Sequence, residues 1–139
     1  MIDFQNEVCE GIDAQLFEPI FEHLARGKDI ELIIVNDEEI RELNLQHRGL
    51  DKPTDVLSFP LENEFGHFIG SVVISYETAD KAAKELGHSL QDELRLLFIH
   101  GLLHLLGFDH EIDKGQMRMR ESELVGVFNL PSSLIIRND

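Results

Sequence analysis

The chain has 139 residues, of which 42% are hydrophobic and 28% are charged, and these values are typical of one soluble globular domain rather than of two domains or a disordered segment. The net charge of −15, from 12 basic and 27 acidic residues, argues against nonspecific binding to nucleic acid or to an anionic membrane, although a metal ion or a few arginines can still create a positive site locally. No apolar stretch approaches the ~20 residues of a membrane-spanning helix and the N-terminus does not resemble a secretory signal, so we expect a cytoplasmic protein that does not bind membranes.

Residues 1–139 are expected to form one domain, because no internal repeat, low-complexity tract or linker divides them. The first half of this domain predicts three strands and two helices. In chain order these are a strand near Ile2 to Phe4, a helix from about Asp13 to Arg26 that Gly27 ends, a buried strand Glu31–Val35, a helix capped by Asn36 or Asp37 that continues to about Gln46, a polar loop from His47 to Pro53, and a strand Thr54–Phe59 that Pro60 stops.

The second half predicts one more strand and three helices. These are a hairpin-like loop at 62–66, a strand Phe68–Ile74, a helix from Ser75 to about Leu86 that Gly87 ends, a helix that Ser89 and Asp92 open and that runs to Leu106, and a last helix from about Lys114 to Phe128, followed by a tail that Pro131 interrupts. Strands and helices are mixed without strict βαβ alternation, so we predict an α+β fold with one small mixed sheet packed against helices. The helix that ends at Leu106 is apolar on nearly all sides, which predicts a central position.

Three histidines in residues 100–110, which read HGLLHLLGFDH, form the most informative motif of the chain. His100 and His104 are four residues apart, so on a helix both imidazoles project from one face and can bind one metal ion. Gly107 can adopt a left-handed backbone that ends the helix and turns the chain, which returns His110 as a third ligand. Three neutral imidazoles leave the fourth position of one zinc ion (Zn2+) open to water, as in catalytic sites.

The same spacing occurs in the zinc-protease signature H-E-x-x-H-x-x-G-x-x-H, with one difference. The residue after the first histidine is Gly101, whereas the proteases have a glutamate that serves as the general base. A metallohydrolase that acts on peptides or small molecules is an alternative function. The absence of the glutamate base counts against it. The carboxylates beside the third histidine, Asp109 and Glu111, are candidates for a hydrogen bond to one imidazole.

A second dense motif lies at residues 43–60 and reads LNLQHRGLDKPTDVLSFP. Together with the three-histidine motif it resembles the YbeY family of bacterial endoribonucleases, whose pattern is N-x-x-[YH]-R running into P-T-[DN]-V-L-S-F-P, then a G-D-x-V-I-S strand and H-G-x-L-H-L-x-G-x-D-H. The resemblance covers about residues 33–123. One position departs from it, because Ser71 stands where the family usually has aspartate.

The resemblance implies both a site and an activity. His100, His104 and His110 fall on the family's zinc ligands, and Arg48 falls on its functionally required arginine in the active cleft. The implied fold is a compact α+β domain in which the helix with the first two histidines lies under a groove. The implied activity is that of a zinc-dependent endoribonuclease, specific for single-stranded RNA. It acts in small-subunit ribosomal RNA maturation and ribosome quality control, with the ribosome or ribosome-associated proteins as partners.

The chemistry of Arg48 agrees with this assignment. The residue is predicted in a loop that enters a strand, where functional groups are often displayed, and its guanidinium is always charged and suits bidentate contact with phosphate. A second alternative is a ribosome-assembly factor whose zinc is structural. A structural zinc has four protein ligands, so this alternative requires a fourth ligand from elsewhere in the chain. Imidazole ligands also suit nickel, copper and iron, so the sequence leaves the identity of the metal open.

Overall fold

The computed structural model describes residues 1–132 and residue 134, with the backbone alone for residues 62–65. The predicted tail after Pro131 therefore lies mostly outside the described residues. In chain order the regular elements are β1 (Ile2–Asn6), α1 (Glu18–Ala25), β2 (Asp29–Val35), α2 (Asp37–Arg48), β3 (Val56–Phe65), β4 (Phe68–Ser75), α3 (Tyr76–Leu86), α4 (Leu90–Leu105) and α5 (Gln116–Val127).

The four strands form one mixed sheet in the order β1-β2-β4-β3. β1 is parallel to β2 and β2 is parallel to β4, whereas β3 is antiparallel to β4. β1 and β3 are thus the outer strands of this sheet. The predicted α+β class with one small mixed sheet is confirmed.

Two apolar clusters hold helices against the two faces of the sheet. The larger cluster joins α1, α4 and α5 to the face that contains Leu32 and Val72. The smaller cluster joins α2 to the opposite face through Ile40 and Val73. Since successive residues of a strand point to opposite sides, the adjacent valines of β4 belong to different clusters, and the sheet lies between two helical layers.

The central helix of the fold is α4, as the sequence predicts. It packs on β3 and β4 and also contacts α3 and α5. Seven of its apolar side chains are at most 1% exposed: Leu94, Leu96, Leu97, Phe98, Ile99, Leu102 and Leu103. Each buried side chain of this kind contributes roughly 1.5–3 kcal/mol, so the helix that bears two of the histidines is held firmly. No helix in the described part of the chain is long and apolar enough to cross a membrane.

The strand that the sequence predicts to stop at Pro60 continues to Phe65, so that prediction was wrong. Pro60 pairs with Gly70 of β4. Because β3 is an outer strand, the amide that proline lacks does not interrupt the sheet. The predicted loop at 62–66 is therefore mostly the end of β3, and a two-residue turn leads directly into β4.

Two predicted helices also have different bounds. The N-terminal helix is divided into a 3-10 turn at Ala14–Leu16 and α1, because Pro19 lacks the amide that a continuous helix needs and favours a first turn. α2 extends beyond its predicted end to Arg48, and Gly49 ends it with a left-handed backbone (φ 71°). The other predicted helices and strands lie within two residues of their expected ends.

Candidate metal centre

The three predicted ligand residues lie together at the carboxyl end of α4. The ring centroids of His100 and His104 are 4.8 Å apart, and the ring of His110 lies 5.4 Å from the first and 5.5 Å from the second. The ligand atoms of the three side chains are all within 4.8 Å of one another. In the part of the chain that the structure describes, no other His, Cys, Asp or Glu joins this group.

Backbone geometry explains how the third histidine returns to the first two. α4 ends at Leu105, and Gly107 has a φ of 99°, in the left-handed region that favours glycine. The amides of Gly107 and Phe108 donate to carbonyl oxygens in the last turn of α4, which satisfies groups that a helix end leaves without partners. The chain therefore turns where the sequence predicts, and His110 lies on the exposed side of the group.

Two aspartates order the turn that carries His110. The carboxylate of Asp109 accepts a hydrogen bond from the amide of Glu111 at 3.0 Å. The carboxylate of Asp113 accepts hydrogen bonds from two amides at the start of α5, at 2.8 and 3.0 Å. The exposed histidine thus lies on a hydrogen-bonded turn between two helices.

The donor set and the spacing of the three imidazoles fit one zinc ion. A tetrahedral zinc ion with Zn–N bonds of about 2.1 Å holds its nitrogen ligands about 3.4 Å apart. The ligand atoms of the three side chains lie within 4.8 Å of one another, which is close to this spacing. Three histidines without a fourth protein ligand are typical of catalytic rather than structural zinc.

The electrostatics of His104 favour the form that binds metal. Burial lowers the pKa of this imidazole, and the neighbouring His100 and His110 lower it further because like charges repel. A hydrogen bond with the backbone of Phe108 acts in the opposite direction. The neutral ring, which is the metal ligand, is thus maintained to lower pH than in an exposed histidine.

Gly101 lies where α4 crosses the sheet. A Cβ atom at this position would be 2.7 Å from Cγ1 of Val72 and 3.2 Å from Oγ of Ser58. The hydroxyl of Ser58 also donates to the carbonyl of Gly101 at 3.2 Å. The glutamate that zinc proteases have after their first histidine does not fit here unless the helix moves, so the missing base has a packing reason.

The three histidines line a cleft of about 490 Å³. Its lining also includes Arg48, Thr54, Ser58 and Pro60. Arg48 is exposed and is the last residue of α2. Its predicted position in a loop was wrong, because the helix extends to this residue, beyond its predicted end near Gln46. A cation is electrostatically favoured at a helix carboxyl end, and here it lines the same cleft as the three histidines.

Asn44 anchors the loop that follows Arg48. Its side chain is completely buried, and Nδ2 donates a hydrogen bond to the carbonyl of Lys52 at 2.9 Å. The exposed ion pair between Arg41 and Asp51, at 2.6 Å, is a second link between α2 and the same loop. The asparagine and the arginine of the second motif therefore have different tasks, one in the loop structure and one in the cleft.

Asp55 is a cleft residue that the sequence analysis assigned only to a strand. It lines the same cleft as Arg48 and the histidines. Burial raises the pKa of its carboxyl, while the charge of His100 and a hydrogen bond from the backbone of Val56 oppose the rise. The proton is thus held more tightly at this carboxyl than at an exposed aspartate.

Glu121 of α5 is a second residue that the sequence analysis missed. Its Oε2 lies 3.4 Å from Nδ1 of His100, whereas the sequence pointed to the carboxylates that flank the third histidine. The side chain is 1% exposed. The available signal was its spacing, because Met117, Glu121 and Leu124 occupy one stripe of the helix and all three are buried.

Ser71, which departs from the motif pattern, lies on the sheet face opposite to α4. Its neighbour Val72 is the residue that approaches Gly101, and successive side chains of a strand alternate between faces. The hydroxyl of Ser71 donates to Oε1 of Glu31 on β2 at 2.9 Å. Ser71 therefore lies on the side of the sheet away from the histidines, and Glu31 of the adjacent strand places a carboxylate beside it.

The chain is similar to proteins of one family along nearly its whole length. The sequence model of the family described as Endoribonuclease YbeY matches residues 3–127. The Endoribonuclease YbeY of Nautilia profundicola is 58% identical over 139 residues, which are 100% of this chain and 99% of that protein. The Endoribonuclease YbeY of Helicobacter pylori is 52% identical over 137 residues, which are 99% of this chain and 98% of that protein. The solution structure of a Thermotoga maritima protein matches 93% of this chain and 92% of its own, with 31% identity and a TM-score of 0.64. The chain therefore belongs to the Endoribonuclease YbeY family.

Proposed function

We propose that this chain is a zinc-dependent endoribonuclease that cleaves single-stranded RNA and acts in small-subunit ribosomal RNA maturation in the cytoplasm. The observation that carries the proposal is the position of three imidazoles within 4.8 Å of one another, on the wall of a cleft that Arg48 also lines. The names of its relatives support the class of reaction.

Each group of the cleft has a task in this proposal. His100, His104 and His110 hold the ion, and zinc, when bound, supplies Lewis acidity at a phosphoryl oxygen or at an attacking oxygen. Arg48 contacts the scissile phosphate and stabilises the negative charge that develops on it in the transition state. The remaining position of a three-histidine site is available to solvent or substrate.

The charge of the molecule and the size of its cleft favour a restricted range of RNA substrates. A net charge of −15 disfavours contact with RNA outside the cleft, so binding depends on local contacts or on a partner such as the ribosome or a ribosome-associated protein. A strand without base pairs enters a cleft of about 490 Å³ more easily than a duplex, because its backbone is not held in a stacked helix.

The experiment that tests the proposal compares RNA cleavage by the zinc-loaded protein and by three variants. Arg48→Ala is expected to lower kcat by about 100- to 1,000-fold, as loss of a transition-state charge contact does, and His104→Ala is expected to abolish cleavage with the loss of zinc. Lys52→Ala, which removes an exposed cation from the neighbouring loop, is the control and keeps the rate. Wild-type cleavage by Arg48→Ala and His104→Ala contradicts the proposal, as does digestion of a peptide library in place of RNA.

A further inference from the structure

We propose that Glu121 is a positioning residue for His100: its carboxylate accepts a hydrogen bond from Nδ1–H and thereby directs Nε2 toward the metal ion. The inference rests on the metal centre of the proposed function and assigns α5 a part in metal binding.

The geometry of the pair is that of a ligand and its supporting group. Nδ1 of His100 and Oε2 of Glu121 are 3.4 Å apart, and the two side chains are 13% and 1% exposed. An imidazole that binds a metal through one nitrogen carries its proton on the other, and the partner of that proton fixes the orientation of the ring. A carboxylate on the Nδ1 side therefore leaves Nε2 as the metal ligand.

The burial of Glu121 requires an explanation that packing alone does not give. Its Oε1 is buried and has no hydrogen-bond partner among the described residues. A carboxylate in such a place is costly unless a positive charge lies nearby. His100 would hold zinc through its other ring nitrogen, and the bound ion would supply that positive charge, so the metal and the buried acid would stabilise each other through one imidazole.

The path of the chain holds this carboxylate in place. From His104 the chain passes through the turn of His110 into α5, whose first amides are capped by Asp113. Met117 and Leu124 are both fully buried on the same stripe of α5, and they fix the rotation of the helix that brings Glu121 to α4. The segment that carries His110 therefore also brings Glu121 to His100.

The first test is zinc affinity, measured by competition with a chromophoric chelator. Glu121→Leu is expected to raise the Kd for zinc by about 10- to 100-fold, the usual effect of losing a group that supports a metal ligand. The Kd of Glu121→Gln is expected to lie between that of Glu121→Leu and that of the wild type, because the amide oxygen of glutamine still accepts the hydrogen bond but carries no charge. Glu123→Gln changes a glutamate of the same helix that is 59% exposed, and it should keep the Kd within about twofold.

Two further measurements separate positioning from packing. Unfolding in the presence of a chelator should show metal-free Glu121→Leu to be at least as stable as the metal-free wild type, because the variant lacks a buried acid whose Oε1 has no hydrogen-bond partner among the described residues. Long-range ¹H–¹⁵N NMR of the zinc-loaded protein should show His100 protonated at Nδ1. A loss of metal-free stability with an unchanged Kd, or protonation at Nε2, overturns the inference.

The inference and the proposed function fail in different ways. If the wild type binds zinc and both Glu121 variants bind it equally well, the inference alone is wrong. If the wild type binds no zinc, the metal centre is wrong and the inference falls with it.

Discussion

Among single residues, Gly101 is the main difference between this three-histidine motif and that of the zinc proteases, which have a glutamate at this position. The histidine spacing is the same, but the position after the first histidine faces β4 at a distance that excludes even a Cβ atom. A helix-borne carboxylate base is therefore incompatible with the way α4 packs on the sheet. The proposed reaction therefore depends on other groups of the cleft, which Arg48 also lines.

Replacement of Gly101 by alanine tests this close contact. Gly101→Ala should lower the free energy of unfolding by about 1–3 kcal/mol, the usual cost of overpacking, because the methyl group meets Val72. Gly126→Ala is the matched control, since it lies in α5 with nothing within 4 Å of the new Cβ atom. It should raise stability by roughly 0.5–1 kcal/mol through helix propensity. Urea denaturation measures both, and equal effects contradict the packing account.

The raised pKa of Asp55 predicts a pH-dependent effect on stability. In the unfolded chain this carboxyl titrates near its ordinary value of 3.8, and burial raises the pKa in the folded protein. The folded state therefore binds the proton more tightly, and the stability from this site is lost as pH rises through the folded pKa. In metal-free protein, Asp55→Asn should be more stable than the wild type at pH 7.

The control for Asp55 lies in the same cleft. Glu111→Gln removes an exposed carboxylate there and should leave stability nearly unchanged. Unfolding of both variants at pH 3 and pH 7 measures the difference. The assignment fails if the gain from Asp55→Asn is as large at pH 3, where the carboxyl is protonated in both states.

Local patterns made the group of three histidines predictable, whereas contacts between distant segments hid other residues of the candidate site. His100, His104 and Gly107 are close in sequence, so helical periodicity and one glycine turn suffice to bring the ligands together. Glu121 comes from the next helix, and the pKa of Asp55 is raised, chiefly by burial, only in the folded protein. Such residues carry no signal within a short window of sequence.

At the scale of helices and strands, α2 and the loop after it determine where Arg48 is presented. The helix continues to this residue and ends at Gly49, and the buried Asn44 then ties the loop back to the helix. The sequence pattern predicts the arginine in a loop because the predicted helix ends too early. The predicted end of β3 at Pro60 is also wrong, since proline interrupts central strands but not outer ones.

The hydrogen bond of Asn44 predicts the order of this loop. Asn44→Ala should speed amide hydrogen exchange at residues 50–55 and reduce RNA cleavage several-fold, because loss of a net hydrogen bond costs about 1 kcal/mol. Gln46→Ala, at an exposed position of the same helix, should do neither. Exchange rates are measured by mass spectrometry or NMR, and unchanged exchange in Asn44→Ala contradicts the anchoring role.

In the whole molecule, we expect the apolar packing of α4 and the proposed metal centre to be separate sources of stability. The seven nearly inaccessible side chains of α4 do not depend on the ion, so the fold should persist without zinc. Bound zinc still stabilises by mass action, by about 2.7 kcal/mol at a free concentration 100 times Kd. A structural zinc in a small domain behaves differently, because such domains unfold when the metal is removed.

Removal of zinc by a chelator distinguishes these two cases. The far-UV circular dichroism spectrum should be unchanged, and Tm should fall by roughly 10 °C for a domain of this size. RNA cleavage should be lost in the same sample. Global unfolding on chelation supports the alternative of an assembly factor with a structural zinc and contradicts the separation proposed here.

The most direct test of the central claim is the return of RNA cleavage as zinc is added to the metal-free protein. If the three histidines hold one ion in the cleft that Arg48 also lines, as proposed, the rate should rise in proportion to added zinc and reach its plateau at one equivalent per chain, and His104→Ala should show no rise. Full cleavage without metal, or a protein that takes up one equivalent and still cuts no RNA, would contradict the account.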